Sequence, residues 1–470
     1  MREYLLFIAI SILGQISGIT SSFRQPPRRW RFADLIVAVL AAALVGLFAL
    51  QLRIDAVVAH GQVPRLAWLD QLPLPVLTAP SSGTVVPPRV PSLQLEIIAA
   101  LESAVLAGLL IVIARFTPTR YAALAVGFAS ASMLGLALAP HMLMSADMYL
   151  YVGYAKLGAL AYVPPAQPFA GTFSTVNEVW GLPIEPSLYG PLWLGLVHVL
   201  LAPVGSLSLA LHILQFVGAL SFAVLIALLA RLGLGPATLA VVAVNPMLIE
   251  QFVGNGHNDI WAVDASIAAF VLVSRRPLLA AAAVSAAGLV KLPMLLLGLL
   301  AFGGIGSLRR RLAYAVGAVA VCGFASIALG GIAYPEALVT YTAHDQVDLG
   351  SRIFRGIFAT ATLAIVALAF VGRRFPPAIW TFPMLGPNLF PWYLAWGFPY
   401  GVFVKGTLPF WLCALPIAAF AVNRDVLQIR IVTIEILVLA ALAVLTFYRR
   451  FRFESQDSAR TVAVTDQQRS

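Results

Sequence analysis

About fifteen apolar runs follow one another along this chain, most of them near the roughly 20 residues that cross hydrocarbon as a helix. They lie at 4–20, 33–51, 93–114, 121–143, 208–230, 236–253, 259–274, 277–290, 293–306, 312–333, 353–372, 376–389, 394–404, 408–422 and 428–448. That pattern leaves few folds. In a bilayer every backbone N–H and C=O must be satisfied by protein, so only helices and closed barrels span it. Unbroken apolar runs without alternation predict helices. Composition agrees: 60% of the 470 residues are apolar, 11% are charged, and mean hydropathy is +0.91. A soluble domain carries roughly 25% charged residues. The expected fold is all-α, a polytopic transmembrane helical bundle of about 13–15 membrane helices. One membrane domain is expected over 1–448, with a polar cytoplasmic tail over 449–470. Run 4–20 lacks a small-x-small cleavage site and reads as a retained helix.

Charge gives the orientation. The chain holds 30 Lys+Arg against 20 Asp+Glu, a formal net +10. In a soluble protein that excess would raise the question of nucleic acid, but here the basic residues sit in short loops between spans. Cytoplasmic loops are the ones enriched in arginine and lysine. Arg24, Arg28, Arg29 and Arg31 precede the second run, and Arg115 and Arg120 flank a turn. Further clusters are Arg275/Arg276, Arg309–Arg311, Arg373/Arg374 and Arg449/Arg450/Arg452. All of them fall on the cytoplasmic side if 189–206 lies along the outer interface rather than crossing. Three long non-cytoplasmic loops follow, at 52–92, 144–188 and 334–352, the first rich in proline and so extended or irregular. Cys322 and Cys413 both lie in apolar runs and make no disulfide framework.

Ionisable residues at membrane depth are expensive and tend to mark function. In this orientation they gather on the outer face. Met144–Tyr154 reads MSADMYLYVGY, with Asp147 and Tyr149; Ile184–Trp193 reads IEPSLYGPLW, with Glu185 and Tyr189. Asn245–Asp259 reads NPMLIEQFVGNGHND and ends in His257, Asn258 and Asp259. Lys291 stands in GLVKLP at the tip of two short helices, where an ammonium must snorkel or meet an anion. The loop at 341–355 holds Arg352 and Arg355, and PNLFPWYLAW holds Trp392 and Tyr393. Asn, Gly and Asp also favour turns for backbone reasons alone, and Trp392 would suit any membrane interface. Glu102 and Glu435 read as helix-to-helix hydrogen bonders, while Glu250 and Asp264, near the His257 turn, stay open between structure and function. The remaining histidines, His60, His141, His198 and His212, have no paired ligand spacing, so no metal site is expected.

The order Asp-x-Tyr-x-Tyr, Tyr-Gly-Pro-Leu-Trp, Asn-Pro with Gly-x-Gly-His-Asn-Asp, Lys before a Pro, then Pro-Trp-Tyr-x-x-Trp resembles the polyprenol-phosphate-mannose-dependent mannosyltransferases of bacteria. These are glycosyltransferases of the GT-C class, similar to the mycobacterial alpha-1,6-mannosyltransferases. The likeness spans roughly 140–400 as an ordered series of short motifs. Segment 155–170 departs from it: Ala161–Pro165 stands where relatives tend to show a Gly-x-Asn-Pro-Tyr type turn.

The resemblance implies a GT-C type bundle in the bacterial cytoplasmic membrane with its active site on the non-cytoplasmic side. It implies a polyprenyl-phosphate sugar donor, carrying mannose or a related pentose or hexose, and a glycan, glycolipid or lipid-anchored acceptor. The acid of an outer loop is the base in this class, and Asp147 matches by its Asp-x-Tyr-x-Tyr context. Attack by an acceptor hydroxyl needs such a base. Charge developing on the leaving phosphate needs fixed cations, for which Lys291, Arg352 and Arg355 are the candidates. Tyr149, Glu185, Tyr189, His257, Asn258, Asp259, Trp392 and Tyr393 are the candidate substrate contacts. Inversion at the anomeric carbon is expected, with no cofactor and no metal. The competing reading is a transporter or flippase, since broken helices with midplane charges also build transport sites. Against it, the halves show no internal repeat and the polar residues share one face.

Overall fold

The computed structural model describes residues 32–58, 89–116, 119–139, 145, 147–165, 169–180, 183–344, 349–372, 379–380, 382, 390–404 and 406–426. Runs 4–20 and 428–448, nearly all of 376–389, most of the Pro-rich loop and the tail lie outside the described residues. Among those described, every regular element is helical.

Three helices open the bundle: α1 (Phe32–Val58), α2 (Arg89–Arg115) and α3 (Arg120–Leu138). Each contains an apolar segment long enough to cross a membrane. Asp34 ties the starts of α1 and α3: Thr119 donates its backbone N–H to Asp34 Oδ1 at 3.0 Å and its hydroxyl to Oδ2 at 2.8 Å. Thr119 itself caps α3 by accepting from the Tyr121 N–H, so one buried acid satisfies a helix start that would otherwise hold orphan donors. α1 and α3 therefore begin at the same end, beside Arg115 and Arg120.

Sequence reading treats 144–188 as a polar loop; it folds into α4 (Asp147–Leu157), a 3-10 turn (Gly158–Tyr162) and α5 (Ser174–Trp180). Its residues face protein rather than water: Tyr149, Tyr151 and Tyr154 are all buried. Short α6 (Pro191–Leu201) follows. At 1.5 Å per residue its 11 residues reach about 16 Å, half a bilayer, so α6 does not cross alone. The C-terminal ends of α4 and α6 are pinned together. Lys156 Nζ donates to the Ala202 and Val204 carbonyls at 2.9 and 2.6 Å, and His198 Nδ1 meets the Ala155 carbonyl at 2.6 Å. With those ends joined, the N-terminal ends, Asp147 and Tyr189–Pro191, also fall together.

α7 (Leu207–Arg231) is a full span, and α8 (Pro236–Ala243) with α9 (Pro246–Ile249) forms a pair bent by 51°. The bend has an identifiable cause. Asn245 caps α9 by accepting from the Leu248 N–H, and its amide donates to the Leu412 carbonyl at 2.8 Å. That carbonyl is free because Pro416, four residues on inside α17 (Leu408–Val426), cannot donate to it. A π turn (Glu250–Gly254) leads out of α9.

α10 (Asp259–Leu272), α11 (Pro277–Val290) and α12 (Pro293–Gly298) are shorter than a span and pack on one another. α13 (Leu308–Gly330) crosses, α14 (Ala333–His344) occupies part of the expected 334–352 loop, and α15 (Leu349–Phe370) follows. Arg311 Nη1 donates to the Phe370 carbonyl at 2.7 Å, which brings the Arg309–Arg311 cluster beside the segment entering Arg373/Arg374. A 3-10 turn (Pro391–Trp396), α16 (Gly397–Phe403) and α17 complete the described chain. In all, five described helices are long and apolar enough to span, with the bent pair as a sixth. The architecture is an all-α polytopic membrane bundle in which short, broken helices converge on one polar centre.

Candidate functional site

The centre is assembled from four breaks in helical structure. The first is the start of α4. Asp147 and Tyr151, four residues apart on a helix, share a face, whereas Tyr149 points elsewhere. Asp147 opens the helix, where an acid suits the macrodipole, and its N–H donates to Ser145 Oγ at 3.2 Å.

The second is the Tyr-Gly-Pro stretch before α6. Gly190 N–H donates to the Val290 carbonyl at 3.0 Å. A Cβ at 190 would stand 2.0 Å from the Leu289 carbonyl oxygen, so only glycine allows this approach. The contact brings Tyr189 to the end of α11.

The third is the turn between the π turn and α10. Asn255 N–H donates to the Glu250 carbonyl at 2.8 Å, and His257 N–H to the Gln251 carbonyl at 3.1 Å. Gly256 has φ +58, a left-handed conformation that glycine takes at no cost, and its Cα faces Met148. The turn delivers His257, Asn258 and Asp259, all fully buried, to the centre.

The fourth is the α11–α12 break. α11 stops at Val290, Lys291 is extended, and α12 restarts with Pro293 in its first turn, where proline loses no hydrogen bond.

Three groups converge on one oxygen of Asp147. Tyr189 donates its hydroxyl to Oδ2 at 3.2 Å, the Tyr151 hydroxyl lies 3.5 Å away, and His257 Nδ1 lies 3.4 Å away. Tyr151 also meets Asn258 Oδ1 at 3.2 Å. No hydrogen bond from a described residue reaches Oδ1, and the Asp147 side chain keeps 12% of its surface exposed. Burial pushes this carboxyl up, but the neighbouring His257 ring, the Lys291 ammonium and the Tyr189 hydroxyl outweigh it and hold it below its ordinary value. Burial, followed by the charge of Asp147, pushes the Tyr151 and Tyr189 hydroxyls well up, so both stay protonated donors.

Lys291 is already engaged. Its ammonium lies 2.8 Å from Asp259 Oδ1, and Trp396 Nε1 donates to the same oxygen at 2.6 Å. It also lies 4.6 Å from the Tyr393 ring centroid and 5.5 Å from that of Trp396, within cation–π range. Trp392 stacks on His257 with ring centroids 3.8 Å apart. The 391–396 turn is thus the aromatic wall of the centre.

Of the residues expected from sequence, Asp147, Tyr189, His257, Asn258, Asp259, Lys291, Trp392 and Tyr393 come together. Tyr149 is buried but off the shared face. Glu185 is exposed, and what it contributes is its carbonyl, which accepts from Tyr154 at 2.7 Å. The side chains of Arg352 and Arg355 lie outside the described residues, on α15. Tyr151 and Trp396 close the Asp-x-Tyr-x-Tyr and Pro-Trp-Tyr-x-x-Trp motifs but were not among the candidate site residues. Each stands four residues after a residue that was chosen, a helical signal available once the segment is seen as a helix.

No curated protein and no solved structure matches the chain. Residues 129–306 match the family described as alpha-(1->6)-mannopyranosyltransferase, N-terminal domain. That segment holds Asp147, Tyr151, Tyr189, the His257 turn and Lys291; the aromatic wall lies beyond it. Over 129–306 the chain is therefore similar to a domain of the mannosyltransferases, which supports a mannosyltransferase family of this type.

Proposed function

We propose that this protein moves a mannosyl residue from a polyprenyl-phosphate donor to a glycan or glycolipid acceptor, with Asp147 as general base. The family domain supports mannosyl transfer as the activity. The donor, the base and the outer-face orientation are our reading. The observation that carries it is the asymmetry of Asp147: Oδ2 is held on three sides, while Oδ1 has no partner among the described residues.

The acceptor hydroxyl oxygen attacks the anomeric carbon and its proton passes to Asp147 Oδ1. The bond from that carbon to the phosphate oxygen breaks, and the polyprenyl phosphate leaves with the electron pair. Attack opposite the leaving group inverts the configuration. Tyr189 keeps the carboxylate aligned, which removes an orientational cost from the transition state. Charge gathers on the phosphate, and Lys291, close enough to Asp147 to lower its pKa, is the cation of this centre. Because Asp259 already offsets its charge, Arg352 and Arg355 of α15 are assigned the greater part of the phosphate's compensation. His257 and Asn258 are placed for sugar hydroxyls, and Trp392 and Tyr393 for the apolar sugar face. The reaction as written takes place on the non-cytoplasmic side of the bacterial cytoplasmic membrane, and it competes with a transport reading in which the same centre only binds its ligand.

The test is transfer of label from polyprenyl-phosphate mannose to a membrane glycolipid extract by the purified chain. Transfer that is lost in Asp147→Asn supports the reading. Transfer that survives in that variant removes Asp147 as base, and donor binding without transfer by the wild type favours the transporter.

A further inference from the structure

We infer that a second cleft, on the far side of the His257 turn, binds a neutral, hydroxyl-rich segment of the acceptor glycan. This rests on the transferase reading above. The cleft is lined by Gln51 of α1, Glu102 of α2, Glu250 and Gln251 of the π turn, and the apolar side chains of Met247 and Phe420, among others.

Its polar groups are mostly acceptors. Gln51 spends its amide on Glu250 Oε2 at 2.5 Å. That leaves Gln51 Oε1 buried with no hydrogen bond among the described residues, and Gln251 Oε1 is in the same state on a side chain 4% exposed. Buried acceptors without donors cost free energy until something donates to them. The ligand that fits supplies donors and no negative charge, because two carboxylates line the cleft and no lysine or arginine does. Sugar hydroxyls meet both conditions. The apolar wall of Met247 and Phe420 suits the C–H face of a pyranose ring.

The cleft is tied to the reactive centre by backbone. Glu250 and Gln251 turn their side chains to the cleft while their carbonyls hold Asn255 and His257. Pro391 lines the cleft, and the next residue, Trp392, stacks on His257. An acceptor chain seated here would lie against the back of the turn that backs Asp147.

The experiment follows thermal unfolding of the purified full chain with added α-1,6-linked mannotriose, mannose 6-phosphate or ethanolamine, since a ligand that binds the folded state raises Tm. Mannotriose is expected to raise Tm saturably in the wild type and equally in Asp147→Asn. Half-saturation should move at least tenfold higher in Gln251→Leu and in Glu250→Gln, and mannose 6-phosphate should have little effect. Unchanged half-saturation in both cleft variants would overturn the inference, as would stabilisation by ethanolamine alone or no response to mannotriose. Where transfer is measurable, the cleft variants should raise the KM for mannotriose while leaving donor-induced stabilisation intact. Failure of wild-type transfer with mannotriose binding retained would instead count against the transferase reading and leave the cleft standing.

Discussion

At the scale of single residues, Asp147 carries the sharpest expectations. Removing a positioned base costs a reaction of this kind about 10²–10⁴-fold, so Asp147→Asn should lose that much transfer while folding normally. Its carboxyl is held below the ordinary carboxylate value of about 3.9. A depressed folded-state pKa stabilises the native protein above the unfolded value, and the contribution is lost as pH falls through the folded one. Neither transfer nor stability should therefore show a limb from this group between pH 5 and 8. Full transfer by Asp147→Asn together with its loss in His257→Gln would assign the proton to histidine instead. Lys291 and Asp259 form a buried pair, and stripping one partner from such a pair costs about 3–5 kcal/mol. Lys291→Met should be strongly destabilised in thermal unfolding, and adding Asp259→Asn should recover stability without recovering transfer. Equal stability of Lys291→Met and wild type would show that the pair contributes nothing to the fold.

At the scale of elements, the breaks matter more than the helices. Gly190→Ala should push α6 away from the end of α11, moving Tyr189 and Lys291 apart; transfer should fall at least tenfold and Tm should drop. Gly195→Ala in the same helix meets nothing within 4 Å and replaces a poor helix former by a good one, so it should be neutral or stabilising. Both are read by transfer assay and thermal unfolding of the same preparations. The spans were legible in the sequence because apolar length reports directly on the bilayer. The helix beginning at Asp147 was not, because a segment buried in protein rather than lipid can be rich in Tyr and still be helical. That is why Tyr149 was chosen as the substrate contact from the Asp-x-Tyr-x-Tyr motif and Tyr151, at its end, was not. The pairing of Lys291 with Asp259 was equally hidden, since the two are 32 residues apart and nothing local signals it. By contrast, Tyr189, His257 and Trp392 were chosen by chemistry alone, each beside a Gly or Pro that breaks a helix, and the fold brings them together.

At the scale of the whole molecule, the orientation we propose puts α4 to α6 and the reactive centre on the non-cytoplasmic face of the membrane. Glu185 and Arg276 are both exposed, and cysteines introduced there one at a time test the orientation. A membrane-impermeant maleimide applied to intact cells should label Glu185→Cys and spare Arg276→Cys until the cells are opened; the reverse pattern would invert the topology. Cys322 and Cys413 are buried and leave the background low. The wider meaning of the architecture lies in how little of Asp147 is open. A carboxylate able to deprotonate a sugar hydroxyl would deprotonate water equally well, and water is everywhere outside the membrane. Two tyrosines and a histidine close around one oxygen of that carboxylate and leave 12% of its side chain exposed. On the mechanism we propose, closure of that kind separates a transferase from a hydrolase: the sugar is passed on because the hydroxyl that reaches the base is the one the acceptor brings.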